Sequence, residues 1–490
     1  MRIVLAALTA LLAAPASASF RCPAKGGAQW REYRSAHFLV DTDAARRDAE
    51  SLVRELEHFQ ALLLQALVGE PVEIPGHLRV RAFADQTDFT EFAGTQFAAG
   101  YYELGAFREP TIVFPVRAVW KNPELVAHEL AHHLSFYLFP VQPHWFSEGL
   151  AEWVQTAAAR PGETAMATTG SHLVKGINAT SGAMAGSVPA NLVSWFRNDA
   201  RPMTAKELLT WSGVENGESG RGHLWSWLLY HWLWNQRTKA FADYQKRLAD
   251  SGDPDGSWRA AFPEFDPSND AAMARLDDEL DRYRRGGRFA FYRVQADGDG
   301  RFTEASISSS DLHLLLLGVQ RGGPREADKQ KALRRAVVEE ALAEDPANPS
   351  ARYLQALFWG KVDPDLLRDA VKSRPGDWRG WFALSEVAQG AEQEAASRKA
   401  AELNPQSAIA LNQLAWVLAT SGRAKEALAI ANRALDLAPW DPNIVDTLAE
   451  VAVQMGKCAE ALQLEKRAVA VGRSDSLRKR QAEVEQRCKR

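Results

Sequence analysis

At 490 residues, with 46% hydrophobic and 24% charged side chains, the chain has ordinary globular composition and length for two to four domains at roughly 100 to 200 residues each. The formal net charge of −4 over that length leaves no basic footprint, so the composition argues against a nucleic-acid partner and against attachment to an anionic membrane surface.

The first residues, MRIVLAALTALLAAPASASF, carry one positive charge at Arg2, an apolar run from Ile3 to Ala14 and a small-residue exit at Ala16, Ser17 and Ala18. These are the features of a signal peptide over residues 1–18, cleaved near Ala18. The run is too short to hold a membrane anchor, and no later stretch approaches the roughly 18 to 20 apolar residues of a spanning helix. The expectation is an exported chain, periplasmic or secreted, with no membrane span. Oxidising compartments favour cysteine pairing, and of Cys22, Cys458 and Cys488 the last two share one C-terminal segment. A Cys458–Cys488 disulfide with Cys22 free is expected.

Further along, WREYRSAHFLVDTD reads as a strand, with Phe38 and Val40 alternating before turn-forming residues. Residues 43–68 place Ala49, Leu52, Val53, Leu56, Phe59, Leu63 and Leu67 at helical spacing. HLRVRAF alternates as a second strand, and PTIVFP gives a third near residues 111–115. A small sheet with helices packed on it follows.

The segment PELVAHELAHHLSFYL begins at Pro123 and meets no further proline before Pro140, the pattern of a helix with proline in its first turn. His128 and His132 stand four residues apart and project from one face, and Glu129 is offset by about 100°. This is the zinc signature His-Glu-x-x-His, in which two imidazoles hold the metal and the carboxylate activates its water. A catalytic zinc needs a third protein ligand. The next helix, PHWFSEGLAEW, offers Glu148 and Glu152 four apart on an otherwise apolar and aromatic face. Carboxylates on such a face are costly unless a cation compensates them, and spacing alone does not choose between the two.

These residues resemble the gluzincin metallopeptidases, and most closely the peptidase MA-like domains of exported bacterial proteins that combine HExxH with a later W-x-S-E-G-x-A-E block. The resemblance implies an α+β thermolysin-like metallopeptidase domain over residues 30–294, a small sheet plus a helical subdomain carrying the HExxH helix. It assigns Glu148 as the third ligand of a Zn2+ ion held by His128 and His132, with Glu152 beside a ligand histidine or the water. In relatives the block matching RGHLWSWLLYHWL often begins with a tyrosine across the metal from the base; this chain has His223 there. The activity implied is hydrolysis of peptide bonds, with Glu129 as general base and His223 stabilising the oxyanion. Of the remaining groups, His133 is expected to point off the ligand face, His144 to be a loop residue before the second helix, with a place lining the cleft as the alternative, and His231 to sit in the core or at the rim. Tyr101 and Tyr102 are expected as cleft-wall aromatics, and the tryptophans of WSWLLYHWLW as packing under the site.

In QADGDGRFTEASISSSD, Asp297 and Asp299 precede Gly300, but a calcium loop on that glycine would put Gln295 and Ser306 where acids are required. The segment reads as an interdomain turn, within a linker spanning residues 295–329. Beyond it, SAIALNQLAWVLATSGRAKEALAIANRALDLAPWD overlies the following segment at a 34-residue offset, matching Leu414 with Leu448, Gly422 with Gly456, Ala427 with Ala461 and Ala434 with Ala468. This resembles the tetratricopeptide repeat, with Pro439 ending a helix and two degenerate units earlier, so an all-α tetratricopeptide solenoid is expected over residues 330–490. Such helix pairs stack into a groove for peptide or protein segments. The combined reading is an exported zinc metallopeptidase acting on a peptide or protein substrate, its repeats docking that substrate or a partner. The alternative is a non-catalytic binding or assembly protein whose peptidase-like domain holds zinc without turnover.

Overall fold

The structure, a computed structural model, describes residues 27–69, 72–93, 100–104, 108–158, 183–189, 192, 202–213, 219–286, 289–317, 327–359, 363–472 and 474–489. The signal peptide expected over residues 1–18, and Cys22, lie outside the described residues.

WREYRSAHFLVDTD forms two strands rather than one. Strands β1 (Arg31–Arg34) and β2 (Phe38–Thr42) pair antiparallel. The turn between them is closed by Ser35, whose amide donates to Phe38 O at 3.0 Å and whose Oγ accepts from Phe38 N at 3.2 Å. Helix α1 (Arg46–Val68) then crosses over to β3 (Leu78–Phe83), which runs parallel to β2. Helix α2 (Gln86–Ala93) and the edge strand β4 (Tyr101–Leu104) lead to β5 (Pro110–Pro115), parallel to β3. The alternation that suggested strands puts Tyr33, Phe38, Val40, Val80 and Ile112 on one face, fully buried in a core shared with α1. The opposite face carries Glu32, Asp41, Arg79 and Arg81, where Arg79 donates to Asp41 at 2.7 Å and to Glu109 at 3.0 Å.

The helical part of the domain follows as α3 (Ala118–Lys121), α4 (Pro123–Leu138), α5 (His144–Val154), strand β6 (Ala183–Ala185), α6 (Ala205–Leu209) and α7 (Ser219–Gln236). Helices Thr238–Ser251, Pro254–Ala261 and Asp270–Gly286 close it, and β7 (Tyr292–Val294) pairs with β6.

Residues 295–329, expected as a linker, contribute to both neighbours. Strand β8 (Thr303–Ser306) pairs antiparallel with β1 and completes a six-stranded sheet in the order β4-β5-β3-β2-β1-β8. Thr303–Ser306 is short and mostly exposed, so its strand conformation comes from the unpaired edge of β1 rather than from its own composition. Helix Ser309–Leu317 buries Leu312 and Leu316 against Trp30, Phe83 and Phe89. It also packs against Ala327–Glu344, so the solenoid begins inside the expected linker.

From there the chain is an all-α solenoid of antiparallel helix pairs: Pro349–Trp359 with Pro364–Ser373, Trp378–Val387 with Gly390–Leu403, Ala408–Thr420 with Ala424–Leu437, and Pro442–Gln454 with Cys458–Gly472. Helix Asp475–Cys488 ends the array and is tied back by the Cys458–Cys488 disulfide. The repeat positions explain themselves. Ala427, Ala434, Ala461 and Ala468 are fully buried where paired helices touch, and Gly422 and Gly456 both turn in the left-handed region, at φ 79° and 74°. Among the described residues no helix is long and apolar enough to cross a membrane.

The solenoid is mounted by one edge, formed by the turns that lead into the first helix of each pair. Asp441, the N-cap of Pro442–Gln454, accepts from Arg108 Nε at 2.6 Å, and Arg379 reaches Glu109 at 3.4 Å. Trp440 sets its ring edge-on against Tyr137 of α4 at 4.6 Å. Tyr137 Oη lies 2.9 Å from Pro75 O and 3.1 Å from Leu437 O. Trp440 is 6% exposed, so Trp440→Ala is expected to lower stability by about 3–5 kcal/mol, read as a reduced urea midpoint. Leu357, 59% exposed on the same solenoid, should change little on the same replacement.

Candidate metal centre

Helix α4 turns its apolar residues Val126, Ala127, Leu130, Ala131 and Leu134 into the core, which fixes its rotation and leaves His128 and His132 facing α5. Helix α5 crosses beneath them and lies on α7. At that crossing Gly149 is indispensable, because a Cβ there would stand 2.5 Å from Ser226 O and 2.8 Å from Tyr230 Cβ. The glycine of the SEGLAE block therefore sets the separation of two helices, one carrying Glu148 and Glu152 and the other His223.

The sequence-predicted ligands meet at one point. His128 Nε2 lies 3.1 Å from His132 Nε2 and 3.3 Å from Glu148 Oε2, and His132 Nε2 lies 3.5 Å from the same oxygen. Zinc bonded at about 2.0–2.1 Å in tetrahedral geometry separates its ligand atoms by about 3.3–3.4 Å, so the triangle has the size of one face of such a site. His128 and Glu148 are buried, and Glu148 Oε2 has no hydrogen-bond partner.

Neighbouring groups orient these atoms. Gln155 Nε2 donates to Glu152 Oε2 at 2.5 Å, which fixes the amide so that its Oε1 accepts from His128 Nδ1 at 2.9 Å. The lone pair of His128 is thereby left on Nε2, facing the triangle. Ser147 Oγ stands 3.0 Å from His132 Nδ1 and can accept from it in the same sense. One proton can serve only one pair of the three converging atoms, whereas a cation serves all three. Burial alone would raise the Glu148 carboxyl, yet His132, His128 and His223 together hold it well below the usual range. Burial likewise opposes protonation of His128 and His132, but Glu148 outweighs it and both imidazoles are raised. The residues fit zinc.

Glu152, 1% exposed, acts one step away from the ligands. Besides Gln155 it accepts from His223 Nδ1 at 3.0 Å, and the same nitrogen lies 3.3 Å from Glu148 Oε2. His223 therefore turns Nδ1 to the two carboxylates, and only its Nε2 edge is left for a substrate oxygen. Glu129 is half-buried and makes no hydrogen bond among the described residues. His144, expected in a loop, is instead the first residue of α5, with Nε2 at 3.7 Å from Glu148 Oε1.

Other residues fall elsewhere. Tyr101 packs with Trp30, Phe83 and Phe89 in a core of its own, and Tyr102 stacks on Phe136 and His133; neither walls the cleft, because β4 lies along the α4 face turned away from the ligands. His133 is buried at the contact with the solenoid, against Tyr137 and Trp440, and burial pushes its imidazole down to about 3. His231 is a core histidine, its Nε2 donating to Ala290 O at 2.9 Å and its Nδ1 2.8 Å from Tyr283 Oη. Sequence reasoning missed Gln155 and Ser147. Gln155 was findable, since it stands three residues after Glu152, on its helical face.

No protein-family model matches the chain, and no curated protein matches it. Among solved structures, a thermophilic TPR protein of Thermus thermophilus is similar at 26% identity and a TM-score of 0.28, over 33% of this chain and 94% of its own. YrrB, a TPR protein with an unusual peptide-binding site, is similar at 16% identity and a TM-score of 0.26, over 36% of this chain and 90% of its own.

Titration of the metal-stripped protein with zinc against a chromophoric chelator should give one tight site, lost in Glu148→Ala. Gln155→Leu, which removes the acceptor for His128, is expected to weaken that site about 10- to 100-fold. Because the imidazoles are raised and must lose protons to bind metal, affinity should fall between about pH 8 and pH 6. A pH-independent affinity would contradict the ligand set.

Proposed function

We propose that this chain is an exported zinc-dependent metallopeptidase with a gluzincin-type, thermolysin-like domain, whose solenoid docks a peptide or protein substrate or partner. The observation that carries this reading is the largely buried triangle of His128 Nε2, His132 Nε2 and Glu148 Oε2, with Glu129 next to His128 in sequence. A purely structural zinc site has four protein ligands and no use for a base; here three ligands converge. Export is supported by the signal-like leader and by a disulfide, which persists in oxidising compartments.

His128, His132 and Glu148 would hold the zinc, which when bound would supply Lewis acidity and lower the pKa of its water toward about 7. Glu129, adjacent to His128 in sequence and half-buried, takes the proton of the attacking water and later returns it to the leaving amine. Glu152 accepts from His223 Nδ1, which fixes the ring. His223 is assigned to stabilise the developing oxyanion, the part a tyrosine plays in the relatives the sequence resembles. Gln155 and Ser147 hold the ligand imidazoles in the orientation the metal needs.

The test is Glu129→Gln, which keeps shape and removes the base. Zinc binding should match wild type, and cleavage of a diverse peptide library should fall by about 10^2- to 10^4-fold. If wild type loaded with zinc cleaves no peptide, the chain is instead a zinc-holding binding protein built around its repeats.

A further inference from the structure

The segment after α6 brings an indole across the centre. Trp211 packs its ring on His144 at 4.4 Å and meets His223 at 5.9 Å. Those two imidazoles lie 3.7 Å and 3.3 Å from the two oxygens of Glu148, so the indole spans the carboxylate side of the site. Its position is built in from α7: Gly222, the residue before His223, has no side chain where the six-membered ring of Trp211 lies, and a Cβ at that position would overlap the ring. Trp211 is only partly buried, so part of its surface remains exposed. The tryptophans of α7 are different, since Trp225, Trp227 and Trp232 are buried in the core.

We infer that Trp211, seated by Gly222, is a specificity-determining wall that selects substrates with a planar aromatic side chain next to the scissile bond. The inference rests on the metallopeptidase reading. An indole tilted at 58° against the His144 imidazole presents a polarisable surface, and aromatic pairs gain from offset or edge-on contact beyond the area they bury. Alanine at position 222 is a better helix former than glycine and its Cβ would overlap the ring, so that variant displaces the indole without removing it.

The experiment measures calorimetric binding of phenylalanine hydroxamate and glycine hydroxamate to the full chain loaded with zinc, in wild type, Trp211→Ala and Gly222→Ala. Zinc content should be equal in all three, since neither position touches a ligand atom. In wild type the aromatic probe should bind at least about tenfold more tightly than glycine hydroxamate, and in both variants the ratio should fall to within about threefold of unity. A ratio retained in Gly222→Ala and Trp211→Ala overturns the inference while leaving the metal centre standing. Failure of either probe to bind wild type in a zinc-dependent way overturns both.

Discussion

Two imidazole nitrogens and a carboxylate oxygen facing one another at 3.1–3.5 Å in a largely water-excluded pocket are the constraint around which the N-terminal domain is organised. Left to themselves, such lone pairs repel and the carboxylate loses its solvation. The chain surrounds them with acceptors, Gln155, Ser147 and Glu152, that leave the arrangement no internal remedy except a shared proton. Everything nearby serves to hold three atoms still: the apolar flank of α4, the crossing of α5 on α7, and the aromatic packing beneath. The density of that packing matters, because a ligand displaced by a fraction of an ångström changes a bond of about 2 Å.

The crossing of α5 and α7 shows how a small residue transmits this constraint. Gly149 lets the helices approach until Ser226 O and Tyr230 Cβ fill the place of its missing side chain. Trp145, Phe146, Trp153, Tyr230 and Trp234 then interlock around the crossing. Glu152 reaches His223 across the same gap, so the carboxylate that orients Gln155 also orients the imidazole opposite. One buried charge thus organises both sides of the centre, and its cost is offset by hydrogen bonds from each.

Much of this site was legible because its chemistry obeys helical periodicity. Residues four apart share a face, so the spacing within HELAH and EGLAE puts each pair on one side of its helix, while the choice of Glu148 over Glu152 came from the family resemblance and not from spacing. What periodicity could not announce was contact between elements distant in sequence. Trp211 lies 12 residues before His223 in a segment with no motif, and its place depends on the absent side chain of Gly222. Strand β8 was read as part of a linker for a related reason: TEAS has little local preference for a strand and acquires it from the edge of β1, some 270 residues earlier. The repeats at residues 407–475 declared themselves by self-similarity, whereas Ser309–Leu317 did not, because its apolar residues answer to Trp30 and Phe83 as well as to the next helix.

Helix α4 is where the two halves of the chain meet, and its geometry separates their demands. At about 100° per residue, His128 and His132 lie on one side while Tyr137 lies on nearly the opposite side, and His133 falls between. The second side takes Trp440 and Leu437 of the solenoid, and His133 joins it as a neutral ring, since burial keeps it from protonating in the physiological range. Apolar docking on that side adds no charge that could compete with the ligands, yet it restricts rotation of the helix that bears two of them. The solenoid, held by its turn edge through Arg108, Asp441 and Trp440, is therefore part of what orients His128 and His132 as well as an appendage beside them.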